Sequence, residues 1–527
     1  MVGTFWAFLP AIIAILLALI TKQVYVSLFL GVFVGAMMYV GGDPINGLFT
    51  VFKVMSEKVG ANVPIIVFLV VLGILVVLMQ KSGGARAYGD WAGRRIKSKK
   101  GALAATASLG CLIFVDDYFN CLTVGSVMRP VTDRFKVSRS KLSYIIDSTA
   151  APVCIIAPIS SWAAAVAGEL EGNGLVMFIS TIPFNVYAIL TIIMVFALCF
   201  LKFDFGKMRR NELFTERTGD VHSGIKDEGL VEAEIKSNSK GRVIDLVIPV
   251  VILIVCCIAG MIYTGFFYNW DTELIGSELQ SANVIEAFSN CEAGMSLAIG
   301  STVALIIISI YYMIRKTVSF KEITGSFVDG FKAMVPAILI LTFAWSISGI
   351  MGAKGGYLDA RAFVENNLVN SAFPQWLFPA IFFMLAGAIA FATGTSWGTF
   401  GVLVPVAVTI LGGSGTMAIL TVSATLGGAV FGDHISPISD TTILASAGAQ
   451  CNHVEHVNTQ LPYAALVAGI CAVTYLIGGL CVDLGGVLSG VIMWVVALAL
   501  FVGVIMLIKY IEKKRKPIEF SDENMKE

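Results

Sequence analysis

Apolar residues run through this chain in long blocks rather than in alternation. Segments of about 17 to 25 apolar residues, enough to cross a hydrocarbon core of about 30 Å, begin near Phe5, Tyr25, Val63, Leu175, Val243, Met295, Val335, Trp376, Ala464 and Val487. The lack of period-2 alternation excludes a barrel, so helices must satisfy the backbone, and the predicted fold class is an all-α polytopic membrane protein. Some polar residues intrude where membrane depth is expected. The densest intrusion is FGDHISPISDTT at 431 to 442, and APISSW at 157 to 162 is a weaker echo of it. An ionisable group at bilayer depth costs roughly 2.5 to 3.5 kcal/mol on insertion scales, so such groups mark an ion or substrate path.

The intrusions come in two sets. FVDDYFNCLTVG (114 to 125) and FATGTSWGTFG (391 to 401) are each followed by a proline-bearing stretch, VMRPV and VLVPV. A run of small residues then leads to API-S-S or SPI-S-D, with Pro158 and Pro437 in matching places. Paired Gly/Pro-interrupted apolar segments in corresponding halves point to an inverted-repeat transporter with a site near the midplane. The predicted organisation is a first membrane half at 1–202, a polar linker at 203–242, a second membrane half at 243–508 and a tail at 509–527. Lys and Arg cluster at 81 to 100, 202 to 242, 315 to 332 and 509 to 516, while 269 to 292 carries five acidic residues and no Lys or Arg. The positive-inside rule then predicts a plasma-membrane protein with its N-terminus outside and its C-terminus and linker cytoplasmic.

Composition agrees with a bilayer as the main partner: of 527 residues, 57% are hydrophobic and 14% charged, and mean hydropathy is +0.84. A net charge of zero gives no reason to expect nucleic acid. Phe5 to Ile20 lacks a basic region before it and a small-residue cleavage signal after it, so a retained helix is expected. The ten cysteines lie mostly singly in apolar runs and read as reduced packing residues. Phosphate-loop, GxSxG and HExxH patterns are absent, so an enzyme is not expected.

In the second set, TGTSWGT offers Thr393, Thr395, Ser396 and Trp397 beside two glycines that free backbone carbonyls. Asp433, Ser436, Ser439, Asp440, Thr441 and Thr442 supply oxygen donors around Pro437, which interrupts the helix. Hard cations favour oxygen, so Asp440 first and Asp433 second are the predicted Na⁺ ligands. In the first set Asp116 and Asp117 point about 100° apart on a helix, so one can face a site while the other caps backbone; the pair could instead cap a helix end near the cytoplasmic surface. Asn120 and Thr123 continue that polar face, and Ser160 and Ser161 open the restart after Pro158. Asp147 fits either a re-entrant turn or a surface N-cap. His434 reads as a proton relay or a satisfied hydrogen-bonding group, His453 and His456 as members of a polar loop rather than a zinc pair, and Glu169 and Glu171 as parts of an external loop.

FVDDYFN, APISSW, GTSWGT and GDHISPISDTT resemble the NhaC-type sodium/proton antiporter family of the ion transporter superfamily, over roughly Gly60 to Val482. The resemblance implies two inverted repeats, each with a re-entrant hairpin and a discontinuous helix. It also implies a scaffold and a mobile transport domain, a homodimer, and elevator-type alternating access. Asp433 and Asp440 fall on the acidic positions of the family motif, and Asp116 and Asp117 on the acidic step of its first-repeat counterpart. The expected function is Na⁺/H⁺ antiport through membrane-embedded aspartates, with no cofactor and with Na⁺ and H⁺ as coupling ions. The alternative is a Na⁺- or H⁺-coupled transporter or exchanger of a small organic ion, an amino acid or a carboxylate, as relatives of the family perform. Tyr118, Asn120, Trp162 and Trp397 near the broken segments favour that alternative, because a bare Na⁺ site needs no aromatic wall.

Overall fold

The computed structural model describes residues 2–21, 23–170, 174–201, 203–224, 238–269, 274–276, 279–284, 286–287, 291–351, 357–360, 362–363, 374–411 and 415–514. The expected all-helical fold is present, with one small departure among these residues: a two-residue antiparallel ladder pairs Tyr268 with Ile275 and Asn269 with Leu274. Eight of the described helices are long and apolar enough to cross a membrane, and two bent pairs raise the number to as many as ten. The pairs are Tyr25–Tyr39 with Pro44–Ala61, bent by 118°, and Phe320–Val335 with Ile338–Met351, bent by 45°. Leu9–Thr21, read as part of the first span, has 13 residues and at 1.5 Å per residue reaches about 20 Å, short of a hydrocarbon core.

The helices that build the centre are α1 (Lys99–Leu112), α2 (Asp117–Arg134), α3 (Arg139–Ser148) and α4 (Ser161–Ala167) in the first half. In the second half they are α5 (Phe378–Thr393), α6 (Ser396–Leu411), α7 (Thr416–Ile435), α8 (Asp440–Ala449) and α9 (His453–Leu480). Helix α7 is the least apolar of the spans, and 83% of its most apolar window is buried inside the protein. Glycines and hydroxyls are tolerated there because neighbouring helices, not lipid, surround it.

The two halves interlock at the centre. Helix α8 of the second half lies against α2 and α3 of the first. The α2–α8 crossing is backbone to backbone: a Cβ on Gly125 would stand 2.3 Å from the carbonyl carbon of Gly448, and one on Gly448 would stand 2.5 Å from the Cys121 oxygen. Only residues without a side chain permit that approach.

Part of the stretch expected as a solvated linker is ordered against this centre. Helix Gly206–Thr218 buries Asn211, Glu212 and Thr215. Glu212 is held by Lys99 at 2.7 Å and by the Ser138 amide at 2.7 Å, while Lys141 reaches both oxygens of Asp204 at 2.9 Å. Asn211 donates to Glu455 at the start of α9 at 2.7 Å. Residues 225–237 of that stretch lie outside the described residues, as do Asp271, Glu273 and Glu278 of the acidic loop and 515–527 of the tail.

Candidate functional site

Four interruptions in the helices meet in the middle of the fold. The first lies between α1 and α2, where Asp116 takes an extended conformation and its Oδ1 accepts from the Phe119 amide at 2.9 Å. That is an N-cap, and it places Asp117 in the first turn of α2, where the helix dipole favours a carboxylate. The second, after α3, runs to Ser160, whose hydroxyl donates to the Cys154 and Ala157 carbonyls and accepts from the Ala163 amide at 3.1 Å. The third is Gly394, which ends α5 with φ of +69°. The fourth spans Ser436 to Ser439 between α7 and α8, with Ser439 accepting from the Thr442 amide at 3.3 Å.

Within each half the two interruptions are tied by the same bond. The amide of Ser161, first residue of α4, donates to the Val115 carbonyl at 2.9 Å. The amide of Asp440, first residue of α8, donates to the Gly394 carbonyl at 3.4 Å. Ser161 and Asp440 are thus each tied to the preceding break of their own half by a backbone bond. Gly394 is needed here twice over: its φ is left-handed, and a Cβ would lie 2.4 Å from the Ile438 oxygen.

The carboxylates play different parts. Asp433, 1% exposed, is fully engaged: Ser439 donates to its Oδ1 at 2.8 Å, Thr441 donates to its Oδ2, and Thr442 donates to its backbone carbonyl at 3.1 Å. These bonds pin the end of α7 to the start of α8. Asp440 is exposed and stands beside Tyr118 of the first half. Asp117, buried, accepts from the Trp162 indole at 2.9 Å through Oδ2 and from the Tyr118 amide at 3.1 Å through Oδ1. Tyr118 lies within electrostatic reach of all four aspartates, Asp116, Asp117, Asp433 and Asp440.

The remaining predicted residues divide between lining and support. Asn120 directs its Nδ2 to the Gly110, Ile113 and Thr149 carbonyls at 2.7 to 3.0 Å, so it holds the first interruption together. Thr123 is buried one turn further along α2. Ser161 lies beside Asp116. Thr393 donates back to Ile389 at 2.8 Å, Thr395 accepts from the Gly398 amide at 3.2 Å, Ser396 is buried, and Ser436 donates to Phe391 at 2.7 Å. Trp397 sits near Asp117 and packs on Trp162 with ring centroids 5.7 Å apart; Phe400 closes the group at 5.0 Å from Trp162.

Several of these readings change. Of the two readings of Asp116 and Asp117, the surface cap gives way: at 2% and 0% exposed, Asp116 caps a buried helix start and Asp117 is its first residue. Glu169, expected in an external loop, is 6% exposed, and neither carboxylate oxygen has a hydrogen-bond partner among the described residues; Glu171 lies outside them. His456, expected in a polar loop, is fully buried in the first turn of α9, against an equally buried Asp147. Asp147 closes the last turn of α3 and is neither a surface N-cap nor part of the restart. His453 instead bonds Ser446 and the Pro437 carbonyl. The spacing of His456 and Gln460, one turn apart on a helix, was the available signal for a shared face.

A family profile described as the Na⁺/H⁺ antiporter family matches residues 163–480. An uncharacterised protein of Haemophilus influenzae is 40% identical over 494 residues, covering 90% of this chain and 91% of that one. The malate-2H⁺/Na⁺-lactate antiporter of Bacillus subtilis is 32% identical over 152 residues, 28% of this chain and 31% of that one. The arginine/ornithine antiporter ArcD of Halobacterium salinarum is 39% identical over 116 residues, 21% of this chain and 24% of that one.

Proposed function

The chain belongs to the Na⁺/H⁺ antiporter family, a family of secondary transporters, and from that premise we propose that it exchanges Na⁺ against protons by alternating access, with the cation held among the aspartates around Tyr118. The meeting of Asp440 with Tyr118, which follows Asp116 and Asp117 at the start of α2, carries this reading. Asp440 is the accessible member and receives the cation first. Asp117 of the other half and the hydroxyls of Ser436, Ser439 and Thr441 supply further oxygens. Asp433 fixes the geometry of the α7–α8 junction and joins the ligand set only when its hydroxyl partners turn away.

The matched bonds across the interruptions support two repeats of one design, and we take them to be inverted, with the interruptions forming the mobile part of an elevator in a homodimer. The protein then resides in the plasma membrane with its C-terminus cytoplasmic, needs no cofactor, and uses Na⁺ and H⁺ as its coupling ions. The driving force is adequate: one pH unit supplies about 1.4 kcal/mol, and one charge moved across 100 mV adds about 2.3 kcal/mol.

A second reading has its own observation. The Trp162–Trp397–Phe400 group beside Asp117 forms an aromatic wall that an organic amino acid or carboxylate would use and a bare cation would not. Two relatives are named as exchangers of such solutes. Purified protein in proteoliposomes separates the readings. A Na⁺ gradient imposed without any organic solute should move internal pH. Accumulation of a carboxylate or amino acid that requires Na⁺, with no pH change in its absence, would replace the first reading by the second.

A further inference from the structure

A second polar cluster adjoins the aspartates around Tyr118, its Asp147 within electrostatic reach of Asp433. Asp147 of α3 and His456 and Gln460 of α9 are each 0% exposed. Asp147 Oδ2 meets His456 Nε2 at 3.3 Å and accepts from Gln460 Nε2 at 2.6 Å. Gln460 Nε2 also donates to the His434 carbonyl in the last turn of α7 at 2.8 Å. The other polar atom of each side chain, Asp147 Oδ1, His456 Nδ1 and Gln460 Oε1, has no hydrogen-bond partner among the described residues. Buried polar atoms are nearly always paired with protein or ordered water, so three unmatched atoms on mutually bonded side chains leave this cluster with free hydrogen-bonding capacity.

The donor set narrows what can use it. Two of the three atoms are oxygens that only accept while Asp147 is ionised, and the third is an imidazole nitrogen that accepts when the ring is neutral. Among the described residues no group of three His, Cys, Asp or Glu side chains is arranged to hold a metal ion. With Asp147 ionised and His456 neutral the cluster carries one negative charge in a medium that penalises it. One added proton brings it to neutrality and turns His456 Nδ1 into a donor.

We propose that the Asp147–His456 pair is the proton-binding centre of this exchanger, on side chains other than those that hold the cation around Tyr118; this rests on the antiport reading above. The proton enters at His456 Nδ1, Nε2–H stays directed at Asp147, and the same proton leaves to solvent when the cation is bound. Gln460 is the link: it joins Asp147 to the His434 carbonyl, one residue after Asp433, whose bonds to Ser439 and Thr441 set the α7–α8 junction. Among the described residues, the titratable groups within electrostatic reach of the pair include Cys121 from α2, Tyr187 from Val186–Leu201, and Asp433 and His434 from α7. Thiols and phenols ordinarily titrate at about 8.5 and 10, which leaves Asp433 and His434 as the neighbours to control.

The test uses full-length protein in detergent with nitrogen-15-labelled histidine. The chain has four histidines, so His222→Gln, His434→Gln, His453→Gln and His456→Gln assign every imidazole signal. In Na⁺-free buffer the His456 ring-nitrogen signals should respond to pH, as a proton-carrying imidazole requires. Saturating Na⁺ should move the midpoint of that response by a pH unit or more toward lower pH, since linked sites respond reciprocally. Asp147→Asn should retain Na⁺ binding but flatten its pH dependence from about tenfold to under twofold per unit. A His456 that stays neutral throughout, or that titrates identically with and without Na⁺ in protein that binds Na⁺, would overturn the proposal. If wild-type proteoliposomes show no Na⁺-driven pH change, the antiport reading falls instead, and the Na⁺-free titration alone decides whether the pair holds a proton. Should Asp147→Asn fail to fold, the wild-type titrations with and without Na⁺ still uphold or overturn the proposal.

Discussion

Replacing Trp162 by phenylalanine removes one bond at the site. A smaller ring stays against Trp397 and Phe400, at 5.7 and 5.0 Å in the wild type, and the indole N–H that meets Asp117 Oδ2 at 2.9 Å is lost. The Tyr118 amide is bound to the other oxygen, so Oδ2 is left in a buried pocket without its donor. An unsatisfied buried acceptor costs about 1 to 3 kcal/mol, more when charged. Taking about 2 kcal/mol, at 1.36 kcal/mol per decade, the ionised form that binds a cation is disfavoured roughly 30-fold. At fixed pH, Trp162→Phe should therefore raise the Na⁺ concentration for half-maximal transport in proteoliposomes by about that factor, with a lower melting temperature from the lost bond and the smaller ring. A variant with wild-type Na⁺ dependence would refute the placement of Asp117 in the ligand set. A variant with wild-type Na⁺ dependence but altered kinetics for an organic solute would move Trp162 to the aromatic wall of the second reading.

The backbone at the interruptions makes two further predictions. Gly394→Ala forces a side chain into a left-handed conformation and against the Ile438 oxygen, so it should lower stability by about 2 kcal/mol or more and abolish transport, read as a melting temperature together with uptake. Gly448→Val, at the α2–α8 crossing, should separate the two halves and lose more stability than the same change at Gly469, where a Cβ would meet nothing within 4 Å; equal losses would show that the crossing is not tight.

Long apolar blocks made the membrane-spanning architecture legible, because a helix facing lipid must be apolar all along one side. Helix α7 escaped that reading, since its surroundings are protein and its Ala, Gly, Ser and Thr residues pack as well as leucine would there. The interruptions were visible as glycine, proline and hydroxyl clusters, and Ser161 and Asp440 are each tied by a backbone bond to the preceding break of their own half. The division of labour among the aspartates was not visible. Whether a carboxylate caps a helix, as Asp116 does, or is saturated by hydroxyls, as Asp433 is, depends on partners that only the folded chain supplies. Asp147 and His456 lie 309 positions apart, and neither sits in a motif, so only the meeting of α3 with α9 reveals them as a pair.

The cation site itself can be probed by equilibrium binding of radioactive Na⁺ to purified protein and to Asp440→Asn, with circular dichroism to show that both are folded. The wild type should bind Na⁺ in competition with protons, and Asp440→Asn should lose that binding by at least tenfold while keeping its helical content and melting behaviour. Wild-type Na⁺ affinity in the folded variant would contradict the claim that the cation sits among the aspartates around Tyr118.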